Sequence, residues 1–280
     1  MFFQTQAFGF LRYNEVQERQ EMHELWEQGQ YGDIIERSRR VLSETPLDDS
    51  ALVLGGFSHF YDGVNQASDE QRREYLDRSV RLLRKALVLR RTPLEPQVHY
   101  VLGKAYYHLG DFYYDLAIEH IEESLDQDYV ADDTYEYLGV SYAHLGRYEE
   151  SVESFETALD RDPSDLLYLT VAETYMKAGR PQEAESYLTE AMNATDEDFL
   201  VQRARFMLGE VYIQDDELDE AQEQFELIIE SNAQSAEAHY QLGRVYDLKE
   251  DTERARYEWR ETIRIDPNHA GALQELAGNT

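Results

Sequence analysis

The sequence predicts an all-α fold, a solenoid of antiparallel helix pairs, and three observations carry that expectation. A small residue followed by a tyrosine, a second small residue and a large apolar one recurs at spacings of 36, 33, 37 and 34 residues, the signature of stacked supersecondary units. Six prolines and 15 glycines among 280 residues are too few for a chain of many turns and strands. Apolar residues make up 42% and aromatic residues 12%, enough to bury a core rather than stay disordered.

Residues 1–14 form an apolar segment containing Phe2, Phe3, Phe8 and Phe10. It lacks the basic start and small-residue cleavage site of a signal peptide. Either these rings pad the end of the first helical layer, or they are the outer edge of a membrane anchor whose upstream part precedes Met1. Residues 15–95 read as two divergent repeats. Gly29, Tyr31, Ile34, Val41, Leu42 and Pro46 fit the second half of the first. Gly56 anchors the second, whose later helix, about 75–89, comes roughly eleven residues late. Residues 62–73 therefore form a long inter-helix loop or extend both helices.

Residues 96–269 hold five closer copies. Their anchors are Gly103, Gly139, Ala172, Gly209 and Gly243, each followed three residues on by a tyrosine: Tyr106, Tyr142, Tyr175, Tyr212 and Tyr246. Twelve residues after the anchor stands Ser151, Ala184, Ala221 or Ala255, and sixteen after it Phe155, Leu188, Phe225 or Trp259. The first copy meets these slots two residues late, at Ala117 and Ile121, which implies a short insertion around Phe112 to Tyr114. Two antiparallel helices approach closely only where a side chain is nearly absent. Each anchor is thus expected to face the small residue of the second helix, with the tyrosine and the large residue filling the space beside it. Gly110, Gly146 and Gly179 suit the left-handed conformation that ends a helix. Pro163 and Pro267 stop second helices. Residues 270–280 begin like another first helix and then end, as a solubilising cap does.

This set of leucine-glycine, tyrosine, alanine, aromatic and proline slots resembles the bacterial-type tetratricopeptide repeat (TPR) proteins over at least 96–269. The resemblance implies a right-handed superhelical solenoid whose first helices line a concave groove that grips extended peptides or partner helices. Positions −3, −2, +1 and +4 from each anchor share one helix face and are mainly aromatic and aliphatic. Tyr100, Tyr107, Tyr137, Phe206 and Tyr240 are the candidate aromatic anchors for a protein or peptide segment, and Lys104, Arg203 and Arg244 are placed to pair isolated acids. Packing between neighbouring repeats explains any single one of these aromatics equally well, Phe57 and Phe60 notably. No −3 position is basic, so the family's clamp for acidic chaperone C-termini is not expected.

The formal charge is −32, from 58 acidic and 26 basic residues, which disfavours nucleic acid and anionic lipid as partners. Between Ala105 and Ser235 stand 33 acidic and six basic residues. Arg78, Arg81, Arg84 and Lys85 instead form a basic patch on the second repeat. That patch is either a solvated helix face or a docking surface for an acidic partner or the acidic part of another copy, so self-association is open. No run of about 18 apolar residues is present, so no segment is expected to span a membrane. The location expected is cytoplasmic, with a membrane-anchored or periplasmic one, through a segment before Met1, as the alternative.

Catalytic chemistry finds little to hold. There is no cysteine, no phosphate loop and no His-Glu-x-x-His pair, so no catalytic residue, cofactor or metal is expected. His108 and His144 occupy equivalent places in adjacent repeats; they are ordinary surface histidines or, given a third ligand, a metal site. The function expected is a non-catalytic scaffold or adaptor that binds a protein segment in its groove. The alternative is a membrane-tethered assembly component of a bacterial envelope complex that makes its contacts through repeat edges and charge patches.

Overall fold

The computed structural model describes residues 17–89 and 91–278; the apolar segment 1–14 lies outside the described residues. Among those residues every regular element is a helix. They form two compact units that divide between Arg147 and Tyr148, a boundary the repeat pattern does not mark. The first unit contains α1 (17–27), α2 (Tyr31–Glu44), α3 (Asp49–Gly63), α4 (Asp69–Leu87), α5 (Glu95–Leu109), α6 (Tyr114–Asp126) and α7 (Thr134–His144). The second contains α8 (Tyr148–Arg161), α9 (Asp165–Lys177), α10 (Pro181–Ala194), α11 (Asp198–Gln214), α12 (Leu218–Ser231), α13 (Ala236–Leu248), α14 (Thr252–Ile265) and α15 (Ala270–Gly278).

Local chemistry sets the helix ends. Side chains of Asp48, Ser164, Ser235 and Asp251 accept the backbone N–H groups left free at the starts of α3, α9, α13 and α14. Gly110, Gly146 and Gly179 have φ of 90°, 71° and 73°, the left-handed turn expected of them. The last two repeats make the equivalent turn without glycine, at Asp216 (φ 62°) and Glu250 (φ 61°). The insertion 62–73 is mostly helix: α3 runs to Gly63 and α4, 19 residues long, already begins at Asp69.

Packing adds a contact to the expected one. The described anchor glycines lie under the large residue of the second helix, and Gly103 also faces the backbone of the small residue Ala117. A Cβ added at Gly56, Gly103, Gly209 or Gly243 would overlap Leu83, Ile121, Phe225 or Trp259 respectively. The flat or branched side chain occupies the volume a Cβ would take, which brings the helix axes together. Ala117, Ser151, Ala184, Ala221 and Ala255 are all fully buried as well, so both slots close the same seam from either side. First helices of successive pairs also touch one another, α3 with α5, α5 with α7, and α9 with α11, so each unit presents a row of first helices.

Candidate functional site

In the first unit the predicted groove residues are largely consumed by packing. Tyr100 is 5% exposed and Lys104 is 8% exposed, so neither is presented as expected. The reason is a partly buried polar knot: the Tyr100 hydroxyl donates to Asp133, and Lys104 Nζ reaches Asp133 Oδ2 at 2.8 Å and the Tyr100 hydroxyl at 3.1 Å. The ammonium also stands 4.6, 5.1 and 5.7 Å from the ring centres of Tyr137, Tyr100 and Phe60, where the ring quadrupoles favour a cation. Burial pushes the Tyr100 and Tyr137 hydroxyl pKa values up, with Asp133 adding to it. Tyr107 and Tyr137 are half-buried and pack edge to face at 4.8 Å. Phe57 and Phe60 are buried, the packing explanation rather than the binding one.

The second unit differs. Between α9 and α11 lies a mainly apolar cavity of 480 Å³ lined by Met176, Phe206, Met207, Phe199, Glu173 and Arg203 among others. Phe206 is half-buried, and Phe199 is 70% exposed at the start of α11. Arg203 pairs with Glu173 across the two helices. Glu210, also in the lining, has its carboxyl pKa raised by burial, an effect Arg244 opposes. Tyr240, expected in this row, is half-buried: a Cβ on Gly271 would overlap its ring, and His269 lies 4.6 Å from it, so the cap helix α15 rests on part of it. Arg244 is tied to Gln241 on its own helix at 2.6 Å.

The repeat tyrosines have a role that spacing alone did not reveal. Each of four bonds a glutamate on the preceding second helix: Tyr142 with Glu122, Tyr175 with Glu156 at 3.1 Å, Tyr212 with Glu185 at 2.9 Å and Tyr246 with Glu226 at 3.3 Å. Arg147, Arg180 and Arg254 lie over the rings of Tyr142, Tyr175 and Tyr246. Part of the acidic charge is therefore structural. The Tyr212 hydroxyl is pushed up to about 12, by burial first and by Glu185 next.

The basic patch on α4 divides. Arg78 and Arg81 line a cavity shared with α2 and α3, Arg84 acts on Tyr106 and His120, and Lys85 is exposed. His108 and His144 are engaged separately. His108 shares a hydrogen bond with Tyr137 and is half-buried rather than a surface residue, while His144 stacks on Tyr114 at 4.2 Å. His99 and His120 form an unexpected pair, with their Nδ1 atoms 3.0 Å apart. Among the described residues no group of three His, Cys, Asp or Glu side chains is placed to hold a metal ion, and no helix is long and apolar enough to cross a membrane.

Comparison with known proteins places this architecture. Three profiles, each described as a tetratricopeptide repeat, match residues 64–112, 133–165 and 175–245, together more than half of the chain. The chain is a tetratricopeptide repeat protein. Among solved structures it is similar to YrrB, described as a TPR protein with an unusual peptide-binding site, at 26% identity over 64% of this chain and 91% of that one, with a TM-score of 0.55. The C-terminal part of a TPR repeat-containing protein from Cytophaga hutchinsonii aligns at 14% identity over 91% of this chain and 98% of its own, TM-score 0.68. MamA from Desulfovibrio magneticus aligns at 17% identity over 64% and 98%, TM-score 0.54. These last two share the fold. A search of curated proteins gives no match.

Proposed function

We propose that the chain is a non-catalytic adaptor whose second unit takes an apolar anchor of a protein segment into the cavity between α9 and α11. The observation that carries this reading is the 480 Å³ cavity itself. The core slots of α11 and its partner α12 are already filled by Ala204, Leu208 and Phe225, all buried. Met176 and Met207 are thus apolar surface beyond what the core needs, and Phe206, packed on one side against Phe225, leaves its other part in the cavity. Flexible thioethers beside a phenyl ring adapt their shape to a guest side chain. The second unit carries 32 acidic against 11 basic residues, so basic residues flanking the anchor complement it. The peptide-binding site in the printed description of YrrB supports the same ligand class.

Selection of a phage-displayed peptide library on the full chain tests this. Enriched peptides should share an aromatic or aliphatic anchor flanked by Lys or Arg, and Phe206→Ala should weaken their binding about tenfold or more, the scale of a central apolar contact. Peptides that bind Phe206→Ala and Met207→Ala as tightly as the parent would place binding elsewhere.

A further inference from the structure

The seam between the first two repeats departs from the four Tyr–Glu seams. In three of those seams the glutamate sits at nearly the same offset: Glu122 and Glu226 stand seventeen residues before Gly139 and Gly243, and Glu156 sixteen before Ala172. In the second repeat, anchored at Gly56, the tyrosine slot holds His59, and seventeen residues before the anchor stands Arg39. Hydroxyl and carboxylate have both been replaced by nitrogen bases.

At this seam lies a cavity of 380 Å³ walled by α2, α3 and α4, lined by Arg39, His59, Arg78 and Arg81 together with the apolar side chains of Ile35 and Leu42. Among the described residues no carboxylate lines it. The corresponding cavity between α6 and the α7 turn has the opposite polarity, with Asp115, Glu119 and Glu122 around Arg147. Arg78 pairs with Glu74 on its own helix at 2.7 Å, but neither Arg39 nor Arg81 has an ion-pair partner among the described residues. His59 is 6% exposed, and its Nδ1 donates to the Gly55 carbonyl at 2.7 Å, which leaves Nε2 as the ring's remaining polar atom. Burial lowers the imidazole pKa, with Arg78 and Arg39 adding to it against the Gly55 carbonyl and Asp62. Its ring faces Tyr75 of α4 at 5.8 Å.

From this replacement we propose that the α2–α3–α4 cavity binds an oxyanion, phosphate or carboxylate, borne on an apolar body. The anion takes the part that a glutamate carboxylate plays in the other seams. Guanidinium forks match the paired oxygens of such groups, the clustered like charges lose their mutual repulsion, and Ile35 and Leu42 meet the apolar body. The site lies in the first unit, so it stands or falls independently of the α9–α11 cavity.

Calorimetric titration of the full chain with phenyl phosphate, benzoate, inorganic phosphate and phenyltrimethylammonium tests the proposal. The aryl anions should bind saturably, inorganic phosphate more weakly and the cation not at all; whichever aryl anion binds tighter identifies the headgroup. Arg39→Glu, which installs the carboxylate of the other seams, should lower the affinity about a hundredfold while near-ultraviolet circular dichroism stays unchanged. Should that variant misfold, Arg81→Gln, at an exposed position of α4, should lower it about tenfold. Absence of saturable binding by either aryl anion overturns the proposal, as does binding that a folded variant leaves unchanged. Equal affinity for inorganic phosphate overturns the apolar part.

Discussion

At Gly243 the indole of Trp259 lies where a side chain would begin, and the same relation holds at Gly56, Gly103 and Gly209 with Leu83, Ile121 and Phe225. Adding one methyl group at such a point forces the ring off its rotamer or the helices apart. Gly243→Ala should therefore destabilise the second unit by roughly 2 kcal/mol, read as a lower urea midpoint, whereas a substitution at Gly32, which has open space around it, should leave the packing unchanged. Tyr100 and Phe206 occupy the same helix face in the sequence pattern, yet Tyr100 has Asp133 and Lys104 within bonding range and is drawn inward. Phe206 has no polar tip to satisfy and stays half-buried beside Met207. Periodicity reports which face a residue shares; it does not report which neighbours meet it there.

Helices and their ends were the most legible level of this chain. Anchor spacing located the helix pairs, and the turn glycines proved left-handed, a conformation in which a missing Cβ removes a steric cost. What escaped were relations across seams, because a tyrosine and a glutamate about 20 residues apart have no periodic signal in common until the second helix folds back. The delayed second repeat hid its own chemistry for the same reason: the offset that leads to Arg39 becomes meaningful only after Glu122 and Glu226 are seen bonded. The α5–α6 pair supports a pH prediction. Burial first, then nearby cations, hold His108 and His120 at about 4, against an ordinary 6.5; Lys104 acts on His108, while Arg84, along with His99, acts on His120. Since the folded pKa lies below the unfolded one, the unfolded chain takes up protons first as the pH falls. Stability contributed by these groups should be complete above about pH 6.5 and decline toward pH 4. Thermal melts followed by circular dichroism should show that decline, and His120→Asn should make it shallower; an unchanged slope would contradict neutral, partly buried imidazoles at these two positions.

For the whole molecule, charge is divided as unevenly as chemistry. The first unit, with 26 acidic and 15 basic residues, has a net charge of −11, and the second, with 32 and 11, has −21. Self-repulsion grows with net charge and is screened by salt. Raising the sodium chloride concentration should therefore raise the melting temperature of the second unit more than that of the first, as followed by differential scanning calorimetry; equal shifts would mean that the Tyr–Glu seams already neutralise the excess. Telling the two units apart is made simple by the glycine that admits an indole. The chain has two tryptophans, one in each unit. Trp259 is fully buried over Gly243, with no hydrogen-bond partner for its N–H among the described residues. Trp26 is half-buried among Tyr31, Phe57 and Tyr61. The close approach that fixes the last repeat thus also supplies a built-in optical probe: with Trp26→Phe, all remaining indole emission comes from one apolar niche, and its red shift times the opening of the second unit alone.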